Sequence, residues 1–554
     1  MHSISSGKTK LVFNEEPFLI TEIINEETGD KFCINGKQTI LLRVPEHISE
    51  PAIVFKLQSL VAENSKIKFT LSDEGLKNKA DITLSQSEFG ICFNMKAISS
   101  DSPLWLAEWK LSSLNFDEVI IPALGGQSLT KDMTPDTTLS YKYPFWWNAQ
   151  FAIGANKNGL LMLHTKDPGA HLKMLRVSKG EKDFSLSIGF EADAPLKSNQ
   201  IEASWFLCSY KGSWRKAVDS HRKWMEKEFN VLSLKDNPHY PKWAGKINFI
   251  LEIWGMRKDS PVPHHTFEEM TGRLKEWNNY YSPEKTLVYL PGFAEHGIDS
   301  NAPSYSPSPE CGGKEKFKGL VDTAHEMGYH VMIHTNALAM TFHHPLYPDF
   351  SKYQVKDVFN RSQGWAMDID GDWLTEEYFA YINPGFMQWG DYMEKVLGDL
   401  IMGYELDAIF LDQTLLAFNI SNGPNFLTGV KDHIKRLQNT FPGILFAGEG
   451  IHEQVLSSLC FAQIHGIDSL ADVHAMEGKK RWRKVHPVSA YLFGKYTKLT
   501  AHLLTKYPAH PLYKLQEKSY KKLGIIPALC LYNNNQKIDI PEVHKMIKRA
   551  ETLK

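Results

Sequence analysis

The sequence predicts a multi-domain chain: an N-terminal antiparallel β-sandwich followed by a (β/α)8 TIM-type barrel. Three observations predict it. Residues 1 to about 210 alternate apolar and polar positions in short bursts, the signature of half-buried strands. From Lys246 onward, short continuous apolar runs alternate with amphipathic helical stretches, as in a parallel sheet covered on its outer face. Between the two rhythms lies NPHYPKWAG (237–245), whose two prolines mark a linker. The sandwich is therefore assigned to 1–235 and the barrel to 246–554.

In the first part, LVF (11–13), TILLRV (39–44), AIVFKL (52–57), KIKFTLS (66–72), GICFNMKAI (90–98), NGLLMLHT (158–165), FSLSIGFEA (184–192) and EASWFLCSY (202–210) read as strands. Asn-Gly pairs at 35–36 and 158–159 are hairpin turn signals. A linking helix follows over 213–229, where Trp214, Ala217, Val218, His221 and Trp224 recur at helical spacing. The barrel strands read as KINFILEIWG (246–255), TLVYLPGF (286–293), YHVMIHTNAL (329–338), LDAIFLDQT (406–414) and GILFAGEGI (443–451). Strands six and seven are placed near 460–466 and 486–494, and the last at 524–533. Helices are expected at 267–279, 314–328, 387–404, 429–441 and 541–553.

Composition narrows the function classes. The 554 residues carry 62 Lys+Arg against 64 Asp+Glu, a net charge of −2, which argues against bulk affinity for nucleic acid or anionic lipid. No apolar run reaches membrane-spanning length. The start, MHSISSGKTK, lacks the apolar core of a secretory signal, so a cytoplasmic chain is expected if that start is native, and an exported one if a signal was trimmed. Six scattered cysteines without a CxxC pair read as buried small hydrophobes. Oligomeric state is not legible. Aromatics at 12% suit stacking on sugar faces and core packing equally.

In a βα-barrel, polar residues at the C-terminal ends of strands face the active-site mouth. Those ends offer Glu252 and Trp254, then Tyr289, then His334 and Asn336, then Asp412 and Gln413, then Glu449 with His452 and Glu453. Asp412 and Glu449 end consecutive strands, and two carboxyls in one mouth suit a double-displacement glycosidase. A carboxylate at a strand terminus is otherwise merely solvated or caps the next helix. The glycines flanking Glu449 would admit a close substrate or backbone. The long polar loop 293–313 supplies Asp299 and Tyr305 as candidate contacts. His330 and His334 share a strand face and resemble a metal pair, but the rest of a ligand set is missing, so no metal or other cofactor is expected.

The order of these features, with GIDSNAPSYSPSPECGGKEKFKGLVDTAHEMGYHVMIHTN (297–336), INPGFMQWGDYM (382–393), LDAIFLDQ (406–413) and FAGEG (446–450), resembles retaining α-glycosidases. The likeness is greatest to the endo-α-N-acetylgalactosaminidase group, glycoside hydrolase family 101, and looser to the α-amylase superfamily. The resemblance implies Asp412 as nucleophile and Glu449 as acid/base, while the strand-end and loop positions make Trp254, Tyr289, Asp299, His334, Asn336, Gln413 and His452 the expected substrate contacts. It implies an oligosaccharide or other α-glycoside as partner. Phe410 stands where the α-amylase pattern has Arg, and no late HD pair is present. Two alternatives stay open: an α-galactosidase-clan enzyme taking its acid from strand six, where Asp468 is the candidate, and a non-catalytic carbohydrate-binding barrel.

Overall fold

The computed structural model describes residues 1–15, 19–34, 40–43, 55–63, 65–100, 103–169, 171–196, 199–258, 262–367, 376–456, 458–464, 482–501 and 506–553. The Asn35–Gly36 turn and Asp468 lie outside them. The chain forms two compact units, Met1–Asn230 with Met476–Leu492, and Val231–Ala475 with Phe493–Lys554.

The first unit is the sandwich. A nine-stranded and a ten-stranded sheet, each antiparallel, face one another across a single apolar core. Burial alternates along its strands as the sequence alternates: in Lys66–Ser72 the isoleucine, phenylalanine and leucine point inward and the two lysines outward. At the centre, Phe93 of one sheet stacks on Trp109 of the other with ring centroids 4.1 Å apart, and Trp205 meets Trp109 edge-on at 6.3 Å. The helix Trp214–Glu228 follows, its first turn capped by the Ser213 side chain, and it buries Ala217, Val218, His221, Trp224 and Met225.

The second unit is the barrel. Eight parallel strands lie side by side: Phe249–Ile253, Thr286–Leu290, His330–Asn336, Ala408–Asp412, Leu445–Gly448, Phe461–Gln463, Lys498–Thr500 and Ala528–Leu531. They are called the first to eighth strands below. The eighth pairs with the first, and the ring is nearly closed where the Ile526 N–H donates to the Leu499 carbonyl at 3.0 Å. Strands one, two, four, five and eight are buried on both faces, which is why they read as continuous apolar runs. Among the described residues no helix is long and apolar enough to cross a membrane.

Two expectations need correction. The segment expected to be strand seven (486–494) holds the helix Val488–Phe493, and strand seven is the three-residue run Lys498–Thr500. Just before that helix, Arg483–Val485 pairs with Gln127–Thr130 at the edge of the ten-stranded sheet, so the chain returns to the first unit between barrel strands six and seven. The sequence reading also missed a three-stranded antiparallel sheet inserted between strands three and four, formed by Ala339–Thr341, Gly364–Met367 and Glu376–Tyr381.

At the N-terminal side of the barrel, Asp407 accepts hydrogen bonds from His325 Nε2 (2.9 Å), His330 Nδ1 (2.8 Å) and the Val331 N–H (2.8 Å). His330 is therefore spent far from His334, and the metal-pair reading of the two falls. Burial alone would raise the Asp407 carboxyl, but the two histidines and the amide outweigh it and hold it at about 2. A depressed carboxyl stabilises the fold above its unfolded value near 4 and loses that contribution as pH falls toward 2. Asp407→Asn should cost about 2 kcal/mol near pH 7, with the difference from wild type vanishing by about pH 2. His325, raised chiefly by the same hydrogen bond, works in the opposite window: its contribution is complete below about 6.5 and fades as pH rises through its folded value. Urea-unfolding midpoints from pH 2 to 8 check both signs.

Candidate active site

Strands four and five end on the two carboxylates. Asp412 pairs in register with Asn336 of strand three, whose Nδ2 donates to Asp412 Oδ2 at 3.4 Å. Asn336 is locked in that orientation because its Oδ1 accepts the N–H groups of Leu338 and Ala339, both at 2.9 Å. Asp412 Oδ1 is buried and has no hydrogen-bond partner among the described residues. Gln413, directly after it, adopts a left-handed backbone (φ 62°) that sends its N–H to Glu449 Oε2 at 2.9 Å. Such a conformation costs a non-glycine residue about 1–2 kcal/mol, and Asp299 (φ 59°) carries the same strain at the same site.

Glu449 is fixed from its backbone too: its N–H donates to the Leu411 carbonyl at 3.1 Å, and its carbonyl accepts from Thr414 Oγ1 at 2.9 Å. The flanking Gly448 does not make room for substrate. A Cβ there would lie 2.5 Å from Leu459 Cδ1 and 2.6 Å from Thr414 Oγ1, so the glycine lets the strand-five end pack against its own neighbours.

Asp299 arrives on the loop after strand two. Its Oδ1 lies 3.3 Å from His334 Nε2 and 3.5 Å from Asn336 Nδ2, and His334 Nδ1 lies 2.7 Å from the Tyr289 hydroxyl. Phe410 stacks on the His334 ring at 5.3 Å. The loops after strands one and two touch backbone to backbone. Gly297 (φ 93°) would place a Cβ 2.3 Å from the Arg257 carbonyl, so only glycine permits this docking. Lys258 thereby lines the same cavity as Asp299, with its ammonium over the rings of Trp365 (4.2 Å), Tyr378 (4.6 Å) and Phe379 (5.5 Å).

These residues enclose a cavity of about 580 Å³. Asp299, Asp412, Gln413, Glu449 and Trp254 line it, as do Trp365 and Phe379 of the inserted sheet, and Arg257, Lys258, His264, Ile298 and Tyr532. Tyr289, His334 and Asn336 are almost wholly buried one layer behind, bonded to the lining carboxylates or to each other. His452 is fully buried and does not line the cavity; burial drives its imidazole down to about 3. Sequence reasoning missed the lining groups of the insert, and also Arg257, Lys258, His264 and Tyr532. The last four follow strand ends one and eight, so the same rim rule would have found them.

Electrostatics single out the carboxyl pair. Burial, then the charges of Glu449 and Asp299, push the Asp412 carboxyl well above the usual range; Lys258 pulls it back, and a side-chain hydrogen bond with Glu449 adds to the rise. An ionised Glu449 therefore disfavours ionisation of Asp412. Burial would raise Asp299 too, but His334, by charge and hydrogen bond, then Lys258 and Asn336, bring it below the usual range. Among the described residues one group could supply three ligand atoms to a metal: Asp299, His334 and Asp412, within 4.8 Å of one another.

Comparison with known proteins bears on the fold. An α-N-acetylgalactosaminidase, NagBb from Bifidobacterium bifidum, superposes with a TM-score of 0.73 at 11% identity, covering 100% of this chain and 93% of that one. A family 36 α-galactosidase, AgaA from Geobacillus stearothermophilus, gives 0.50 at 9% identity over 99% and 85%. The fold is α-glycosidase-like, while neither neighbour is a family 101 endo-α-N-acetylgalactosaminidase, so the resemblance holds for the fold and not for that family. No curated protein sequence matches. The sequence profile of a family described as a domain of unknown function, DUF6259, matches residues 200–499, more than half of the chain, and the chain belongs to that family.

Proposed function

We propose that this protein is a retaining α-glycoside hydrolase whose catalytic part is the barrel, with Asp412 as nucleophile and Glu449 as acid/base. The observation that carries the reading is that Asp412 and Glu449, at adjacent strand ends, line one cavity large enough for a sugar. Inverting enzymes hold their carboxyls about 6.5–9.5 Å apart and retaining ones about 5–5.5 Å, and the Glu449 Oε2 bond to the N–H of Gln413, next to Asp412, favours the closer spacing. One proton on the pair is what the first step needs. As the glycoside binds, that proton resides on Glu449 and Asp412 is ionised, with the Asn336 amide and the Lys258 ammonium favouring the carboxylate. Asp412 Oδ1 attacks the anomeric carbon while Glu449 protonates the departing oxygen. Glu449 then takes a proton from water, which displaces Asp412 from the same face the leaving group left.

The two fold neighbours act, by their names, on α-N-acetylgalactosaminides and α-galactosides, and these head the trial substrates. A panel of 4-nitrophenyl α-glycosides, with galactosyl, N-acetylgalactosaminyl and glucosyl members, tests the reading. Turnover of at least one, with none of the β-anomers, is the expected result; saturable binding without turnover would favour a carbohydrate-binding barrel instead. The Asp299–His334–Asp412 group makes a chelator arm worthwhile. His334 is already engaged by Tyr289 and Asp299, so activity should survive a chelator.

A further inference from the structure

The cavity has two chemically different walls. In an eight-stranded ring, strands four and five lie across from strands eight and one, so Asp412 and Glu449 face the groups carried by the first and eighth strand ends. There Trp254 stacks on Tyr532 with centroids 4.9 Å apart, and His264 stands edge-on to both, at 6.4 Å and 5.7 Å. Trp254 is held by Glu252, which accepts its indole N–H at 2.6 Å. Arg257 lines the same wall, and its charge reaches both His264 and Tyr532.

Three hydrogen-bonding groups on this wall are unspent. His264 Nε2 is buried without a partner. Among the described residues no hydrogen bond or ion pair engages the Arg257 guanidinium or the Tyr532 hydroxyl. The neighbouring cation differs: Lys258 is clasped by three rings and acts on Asp299 and Asp412. Arg257 has no such task. We propose that Arg257, His264 and Tyr532 form a subsite for an anionic substituent, a sulfate ester or a carboxylate, carried on the glycoside.

The guanidinium fork and the phenol O–H are donors, and the unpartnered His264 Nε2 becomes a third when the ring is protonated, so an anion is the ligand that satisfies this wall. A neutral sugar hydroxyl would leave the guanidinium uncompensated. Placing the anion across the mouth from the carboxyls also spares it their repulsion. This inference rests on the hydrolase reading for its substrate class, but the subsite is testable without it.

The first arm titrates the whole protein with sodium sulfate against sodium chloride at equal ionic strength, following tryptophan fluorescence from Trp254 and Trp365. A saturable response to sulfate is expected, weakened about tenfold or more in Arg257→Gln. A matching thermal midpoint shows that this exposed-residue variant is folded. The second arm compares 4-nitrophenyl α-galactopyranoside with its 6-sulfate and with the α-galacturonide. An acidic substrate should be preferred in kcat/KM, and the acidic-to-neutral ratio should fall about tenfold or more in Arg257→Gln. Turnover of the neutral glycoside, without a sulfate response or an acidic preference, overturns the subsite and keeps the hydrolase. A sulfate response equally strong in Arg257→Gln also overturns it. Sulfate binding that Arg257→Gln abolishes, with no glycoside turned over, keeps the subsite and overturns the hydrolase.

Discussion

Asp412→Ala should lower kcat/KM on every substrate by on the order of 10⁴-fold or more, because no other group can form the glycosyl-enzyme. Asp299 is close by, yet it is tied to His334 and Asn336 on the loop after strand two, whereas Asp412 keeps one oxygen unpartnered. The fold should not suffer. A buried carboxyl pressed by Glu449 and Asp299 stands well above its ordinary range, which is a cost to the native state. Its removal should leave the thermal midpoint unchanged or raise it. A large loss of activity with a lowered midpoint would instead mark Asp412 as structural.

Glu449→Ala should divide substrates by their leaving groups. Natural glycosides, which need a proton on the departing oxygen, should slow by about 10²–10⁴-fold. A 2,4-dinitrophenyl glycoside hardly needs protonation, so its first step survives while hydrolysis of the intermediate slows for want of a base. Added azide needs no general base. It should restore turnover in this variant and yield the α-glycosyl azide, whereas azide acting on Asp412→Ala can attack only directly and would yield the β-anomer. The acid limb of the pH profile should also move to lower pH, since removing the Glu449 charge lets Asp412 ionise earlier. Near-native rates on natural glycosides would place the acid elsewhere, with Asp468 the next residue to replace.

Much of the fold was legible because local pattern and tertiary burial coincide. The helix over 387–404 keeps its apolar stripe through eighteen residues, and the strand AIFLD is buried at all five positions. Strand seven was not legible: three residues, KLT, carry no period, while the apolar run before it folds as a helix behind Pro487. The return of Arg483–Val485 to the sandwich edge is a pairing across more than 350 residues, and nothing local to RKV encodes it.

The candidate site divides in the same way. Strand ends gave Asp412, Glu449 and Trp254, because the barrel geometry puts such ends at one mouth. The depth of each side chain was not encoded. Tyr289, His334 and Asn336 end or follow strands as Trp254 does, yet they lie a layer behind the cavity wall because the 293–313 loop brings Asp299 over them. Trp365 and Phe379 come from strands of four and six residues, too short to announce an aromatic wall.

A covalent bond from the sugar to Asp412 is the central expectation of the retaining mechanism. Glu449→Ala, incubated with a 2,4-dinitrophenyl α-glycoside of whichever sugar the panel selects, should accumulate the glycosyl-enzyme, which acid quenching, proteolysis and mass spectrometry would locate. One sugar residue on the peptide that contains Asp412, fragmenting to Asp412 itself, is the result predicted. A sugar on Asp299, or an intermediate that never forms while the product appears with inverted configuration, would contradict it.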